Sequence, residues 1–386
     1  MRSVVFVTKD IGYCFLINGD SDLDYVKTTN GGLSWGGAVD VFTGTVEAFD
    51  VWYDQWTPGD TGRIIHIWYI QGGTGDDVLY TRLNTVDDIQ TDITVISLTS
   101  TAIDRGQFVS GTKARGGHLF CAFDIDNGAE HGLYRSTDNG VTWGSRTDPV
   151  EAADDQCFLF PANAADANDI WMLYQDASTN ELTVKTHDDS ANTNSESAAL
   201  TMVEETTDLL GQYGFNGAIR HQDGHLIFAF FNAYDEAGED FLCYDWDGTT
   251  ATALTALTTD IDDMYYPAVY LNQDQPDWIY IAYIGKSDGL EALQGTIGIY
   301  YALSKNRGLT WTKDIPYSTG TSSDPRETWV PLNGERFYVV WMSVLLELLS
   351  NNDNSKEFGF TGLNNYQFPR AVGVKNTGII SINGGG

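Results

Sequence analysis

One periodicity constrains this chain more than any other property. Seven short apolar runs, each opened by a polar turn, recur along its 386 residues: GYCFLING from 12, RIIHIWYIQ from 63, GHLFCAFD from 117, DIWMLYQD from 169, GHLIFAFF from 224, DWIYIAYI from 277 and ERFYVVWM from 335. Successive starts differ by 51, 54, 52, 55, 53 and 58 residues. A period of this size marks a repeat architecture, in which one supersecondary unit buries its apolar face only against its neighbours. Runs this short and almost wholly apolar read as strands buried on both faces, so each must sit inside a stack of sheets.

Each unit reads as four short strands. In the third they are GQFVSGTKA, HLFCAFDID, HGLYRSTD and an edge segment near SRTDP, separated by Gly, Asp and Asn clusters. No stretch sustains a 3.6-residue apolar period, and VLLELL at 344–349 is the one helix-like run. Four-stranded sheets repeated about an axis make a β-propeller. The expectation is an all-β chain with four-stranded antiparallel blades, seven of them over 1–363 (1–45, 46–100, 101–152, 153–205, 206–260, 261–320 and 321–363). The tail, 364–386, then closes the last blade, whose fourth strand is not evident, or contacts a partner; six blades with accessory terminal strands is the alternative count.

A second repeat lies inside the first. Ser136-Thr137-Asp138-Asn139-Gly140-Val141-Thr142-Trp143 has counterparts at Thr28 to Trp35 and Ser304 to Trp311, all obeying hydroxyl, any, Asp or Asn, any, Gly, apolar, hydroxyl, Trp. Their tryptophans are 108 and 168 residues apart, two steps of 54 and three of 56, so the copies fall in units one, three and six. The invariant positions are Thr28, Asn30, Gly32, Ser34 and Trp35; Ser136, Asp138, Gly140, Thr142 and Trp143; and Ser304, Asn306, Gly308, Thr310 and Trp311. An Asp or Asn can accept backbone N–H bonds and close a turn, Gly takes φ above zero, and Trp packs between blades. Every one of these roles is structural.

The pattern resembles the Asp-box, or BNR repeat, of sialidase-like propellers. That resemblance implies turns between the third and fourth strands of blades, on the outer side of the propeller. It also implies where sialidase chemistry would sit: three arginines clamping a carboxylate, an Asp acid/base, and a Tyr activated by a Glu. The first arginine normally lies in a Phe/Tyr-Arg-Ile-Pro motif in the first blade; here that segment is RSVVFVTKDIGYCF, whose single arginine is Arg2. Phe368-Pro369-Arg370 is at the other end of the chain and in the wrong order. Arg115, Arg220 and Arg326, the last followed by Glu327 and near Trp329, are the remaining catalytic candidates, with pairing to the abundant carboxylates as the competing role.

Composition removes other function classes. Against 21 basic residues stand 54 acidic ones, 40 of them Asp, giving a net charge of −33. Nucleic acid is excluded as a partner, because phosphate binding needs a basic footprint. No run approaches a membrane span, and the N-terminus lacks a signal-peptide pattern. Cys14, Cys121, Cys157 and Cys243 sit in or beside apolar runs without metal spacing, as small buried hydrophobes. Asp50, Trp52 and Asp54 in EAFDVWYDQW alternate onto one strand face and form the candidate carbohydrate grip. Asp20, Asp22 and Asp24 make a partial calcium-loop pattern, so no cofactor is required and Ca2+ is the candidate ion. His118 and His225 start equivalent strands in two units and are expected to serve the repeat.

The function expected from these features is that of a non-enzymatic propeller for structure or surface recognition. A virion decoration, tail or receptor- and glycan-binding component fits, with particle proteins or cell-surface glycans as partners and a virion or extracellular surface as location. The alternatives are a diverged sialidase-like glycoside hydrolase and a propeller scaffold or assembly factor.

Overall fold

In a computed structural model the described residues are 2–72, 77–97, 108–125, 130–149, 156–176, 181–197, 201–202, 214–231, 241–257, 262–286, 297–318, 324–334, 336–344, 356–364 and 378–381. They form antiparallel sheets that follow one another in chain order, and the one helical element among them is a single 3-10 turn, Asp54–Trp56. The fold is a β-propeller of four-stranded blades.

The apolar runs all become the second strands of sheets: Gly12–Ile17, Ile64–Gln71, Leu119–Ile125, Ile170–Asp176, Leu226–Phe231, Ile279–Lys286 and Arg336–Val344. Their lack of alternation is explained by position, because a second strand has a neighbouring blade on each face. Phe15, Ile65, Leu119, Leu173, Phe228 and Ile281 are accordingly buried in the core. Each such side chain contributes about 1.5–3 kcal/mol relative to exposure.

Six sheets occupy 4–318. A seventh, Asp324–Trp329, Arg336–Val344, Lys356–Asn364 and Gly378–Ser381, lies between the sixth and the first. Its Tyr338 meets Phe6 and Trp35 of the first sheet, and its Phe337 packs on Tyr270 and Tyr280 of the sixth. The fourth strand missing from the apolar pattern is Gly378–Ser381, paired with Lys356–Asn364. From 345 onward the VLLELL run lies outside the described residues, as does Phe368-Pro369-Arg370. One exchange between sheets matters later: Asn333–Gly334, from the turn between the first two strands of the last sheet, pairs in parallel with Leu271 and Asn272 of the sixth.

All three boxes have one geometry. In the second copy Ser136 Oγ donates to Asp138 Oδ1 (2.8 Å) and accepts from Gly140 N (2.8 Å), while Asp138 accepts from Thr142 N (2.9 Å) and Thr142 Oγ1 (2.6 Å). Thr28, Asn30 and Ser34, and Ser304, Asn306 and Thr310, repeat it, with the Asn Nδ2 donating to the second hydroxyl at 2.8 Å in both. Asp138 and Asn306 are therefore interchangeable in the turn, since a hydroxyl can either donate or accept. Gly140 has φ +86° and lies against Tyr80 of the preceding blade, whose ring also meets Trp143. Gly32 meets Tyr338 and Gly308 meets Leu254 in the same way, and Trp311 Nε1 donates to Thr255 O at 2.7 Å. The box thus turns the chain and fastens one blade to the one before it.

Candidate functional site

The inner strands Val4–Phe6, Val46–Tyr53, Phe108–Lys113, Gln156–Pro161 and Phe215–Ile219 bring non-neighbouring blades within reach across the axis. Arg2, just ahead of the first, fills that space. Its backbone N–H donates to Asp50 Oδ1 (2.7 Å), its Nε to Asp50 Oδ2 (3.0 Å), and its Nη2 to Asp50, to Ser110 Oγ (2.9 Å) and to Gly111 O (2.7 Å). Nη1 donates to Leu159 O of the fourth sheet at 3.1 Å. Gly111 N returns a bond to Asp50 Oδ2 (3.0 Å), and the guanidinium lies 4.9 Å from the Trp52 ring centre, with Phe158 and Phe160 at 5.9 and 5.7 Å. Both charges are buried, Arg2 to 3% exposure and Asp50 to 0%. Such a pair is tolerable because every guanidinium nitrogen and both carboxylate oxygens are hydrogen-bonded.

The expected Asp50, Trp52 and Asp54 grip is therefore split. Asp50 and Trp52 do share a face, but it is the axial one, sealed beneath Arg2. The strand stops at Tyr53, and Asp54 opens the 3-10 turn instead. Asp54 joins a second network: Lys113 Nζ donates to its Oδ1 (2.6 Å), His66 Nε2–H to the same oxygen (3.0 Å), and Ile64 N to its Oδ2 (2.9 Å). A carboxylate can only accept, so His66 carries its proton on Nε2 and its Nδ1 accepts from Tyr80 O–H at 2.7 Å.

Burial pulls against ionisation of Asp54, but the hydrogen bonds from His66 and Lys113, with the Lys113 charge, win and hold its pKa at about 2. Burial also lowers the His66 pKa, outweighing Asp54, and keeps the ring neutral. A base with an adjacent phenol is the raw material of acid/base chemistry, yet His66 is buried to 2% and Tyr80 lies under Gly140 and Trp143 of the next blade. The 3-10 turn further closes the axis, since Trp56 stacks edgewise on Trp52 and its carbonyl accepts from His221 Nε2 (3.2 Å), three blades away.

Among the described residues the other expected side chains do not converge. Arg115 donates to Ala162 O (2.8 Å) and Ala164 O (2.5 Å) of the next blade. Arg220 holds Asp223 and Asp245 in its own blade. Arg326 and Glu327 lie in the strand Asp324–Trp329, next to a register shift, and their side chains are outside the described set. Asp20, Asp22 and Asp24 surround Asn18: its Oδ1 accepts from Asp20 N and Asp22 N, Asp22 takes Gly44 N, and Asp24 takes Asn18 Nδ2. Among the described residues no three His, Cys, Asp or Glu groups gather as a cation site. His118 and His225 each pair with an aspartate, Asp189 and Asp245, and the four cysteines are buried.

Among the described residues a cleft of about 250 Å³ lies open where the fifth, sixth and last sheets meet, lined by Arg220, His221, Leu271, Asn272, Pro276 and Asn333 among others. Arg220 uses its Nε and Nη2 edge on Asp223 and Asp245, leaving Nη1 without a partner. Asn272 Oδ1 accepts from Asp274 N and Gln275 N, both 2.9 Å, which fixes the amide and leaves Nδ2 unpartnered. A buried donor left unmade costs roughly 1–3 kcal/mol, and these two belong to residues that line one cleft. Arg220 was a candidate on the sequence; Asn272 and Asn333 carried no signal, because they meet only through the Asn333–Gly334 crossover.

The fold and site define a closed, packed-axis β-propeller. No protein-family model matches the chain and no curated protein is similar to it in sequence. Among solved structures it is similar to the BP39L lectin from Burkholderia pseudomallei, with TM-score 0.62 and 10% identity over 93% of this chain and 94% of that one. It is also similar to an ulvan lyase of polysaccharide lyase family PL25, bound to -[GlcA(1-4)Rha3S]-, with TM-score 0.56 and 11% identity over 93% and 91%. At these identities the likeness is one of fold. Among the described residues no helix is long and apolar enough to cross a membrane.

Proposed function

We propose that this protein is a glycan-recognising propeller that binds without cleaving, one of the Asp-box propellers, acting as a surface component such as a virion decoration, tail or receptor-binding protein. The observation that carries the reading is the contrast in how polar groups are used. At the axis Arg2, Asp50, Asp54, His66 and Lys113 are consumed by one another, whereas the accessible cleft keeps buried donors unpaired. Chemistry needs a base or nucleophile that substrate can reach, and recognition needs unpaired hydrogen-bonding groups in a concave site. A lectin on the same fold supports the choice of glycan, and the three box turns support the kinship.

The test is a glycan array followed by prolonged incubation of each bound glycan, with sialosides and uronate polysaccharides included. Retention of glycan with no new reducing end and no unsaturated uronate is the expected result. Release of either product would replace this reading with that of a glycoside hydrolase or a lyase, respectively.

A further inference from the structure

The cleft between the fifth and sixth blades has a chemistry more specific than "glycan". Its two unpartnered atoms, Arg220 Nη1 and Asn272 Nδ2, are both N–H donors, on residues that are each 2% exposed. They call for acceptor oxygens. Charge then chooses between acceptors. Arg220 already faces two carboxylates, Asp223 and Asp245, and His225 shares the second of them. The next cation, Arg307, is paired with Asp277 and lies 3.7 Å from Asp223. Three carboxylates against two guanidiniums, in a chain of net charge −33, repel a further anion. A hydroxyl oxygen accepts an N–H bond without bringing charge.

Size and lining narrow it again. The cleft, at about 250 Å³, is smaller than the roughly 300–1,000 Å³ typical of drug-sized ligand sites, so it suits one ring-sized group. Leu271 and Pro276 supply an apolar edge for the C–H face of such a ring, and His221 is held in place through its bond to Trp56 O. We propose that this cleft binds one neutral, polyhydroxylated sugar residue, whose hydroxyl oxygens accept from Arg220 Nη1 and Asn272 Nδ2. The site lies at the turns joining first and second strands. It rests on the glycan-recognition reading and gives it a location and a ligand class.

The experiment is calorimetric titration of the full chain with methyl α-fucoside, methyl α-mannoside and methyl β-galactoside, with glucuronate and N-acetylneuraminate as acidic arms. Two variants accompany the parent. Asn272→Asp keeps the Oδ1 acceptor for Asp274 N and Gln275 N but turns the unpaired donor into an acceptor; Pro276→Trp fills the mouth. The expected result is saturable binding of at least one neutral glycoside, weakened about tenfold or more in both variants, with an unfolding midpoint like the parent's in Pro276→Trp, so that its loss of binding is not a loss of fold. Neutral glycosides that bind both variants as well as the parent would remove this cleft and leave the glycan reading standing. Binding of the acidic sugars alone would overturn the ligand class. No sugar bound in solution, with an empty array, would defeat both, the cleft then being a water-filled seam.

Discussion

Two arginines sit at the inner ends of blades, and their neighbourhoods differ in one respect. Arg2 spends its backbone N–H and every guanidinium nitrogen on Asp50, Ser110, Gly111 and Leu159, tying four blades together at the axis. Arg220 spends one edge on Asp223 and Asp245 and leaves Nη1 facing a cleft. Both are almost fully buried, so burial alone does not separate a structural charge from a binding one. Hydrogen-bond accounting does: a complete set holds a fold, and an incomplete set next to open space awaits a partner.

The contrast breaks most visibly at Arg2. Replacing it with Ala strands the Asp50 carboxylate at 0% exposure, and urea unfolding should show a loss of about 3–5 kcal/mol. The double change Arg2→Met with Asp50→Leu should recover much of it, because the axial wall of Trp52, Phe158 and Phe160 is apolar. A small loss in Arg2→Ala would mean the axis is wetter than described.

Next is the box. Gly140→Ala combines a left-handed φ with a Cβ placed 2.0 Å from Tyr80 Cε1, and should cost about 2–4 kcal/mol in the same assay. Gly117→Ala, at φ +96° with nothing within 4 Å, carries only the backbone part, about 1 kcal/mol. Equal losses would show that the inter-blade contact contributes nothing.

Acid sharpens the comparison further. His66, His187 and His221 all have pKa values lowered by burial, so the unfolded chain takes up their protons first and stability falls as pH drops through about 6.5. Asp54, held at about 2, adds stability above its unfolded pKa of about 4 and loses roughly 2 kcal/mol as pH falls from there. Asp24 and Asp169, raised mainly by burial, work in the opposite sense over the same range. Denaturant midpoints at pH 8, 5.5 and 3.5 should therefore decline in two stages, and His66→Phe should flatten the first. The smallest stability effect belongs to Pro276→Trp, near zero by unfolding and visible only in ligand binding, whereas Asn272→Asp, which puts a carboxylate at a residue 2% exposed, should cost stability as well.

Much of the fold is legible in the chain because a repeated blade writes one pattern many times. The unalternating run from Leu119 to Phe123 announces a strand covered on both faces, and Ser136 to Trp143 announces a turn from its own local hydrogen bonds. The last sheet is less legible, since its fourth strand, Gly378–Ser381, pairs with Lys356–Asn364 across a gap in sequence. The site was legible least. Alternation correctly put Asp50 and Trp52 on one face, but whether that face meets solvent depended on Arg2, 48 residues away. It placed Asp54 with them, and the 3-10 turn moved it to His66 and Lys113.

By itself, then, the sequence determined the all-β class, the repeating blade and the box turns, because each depends on local hydrogen bonding or on period. Tertiary structure alone decided which charges are spent and which are left over. Arg2 meets Leu159, Trp56 meets His221 and Asn272 meets Gly334 only after the ring has closed. An unpaired N–H is a property of everything that surrounds it, and nothing in a residue's own neighbourhood along the chain records that.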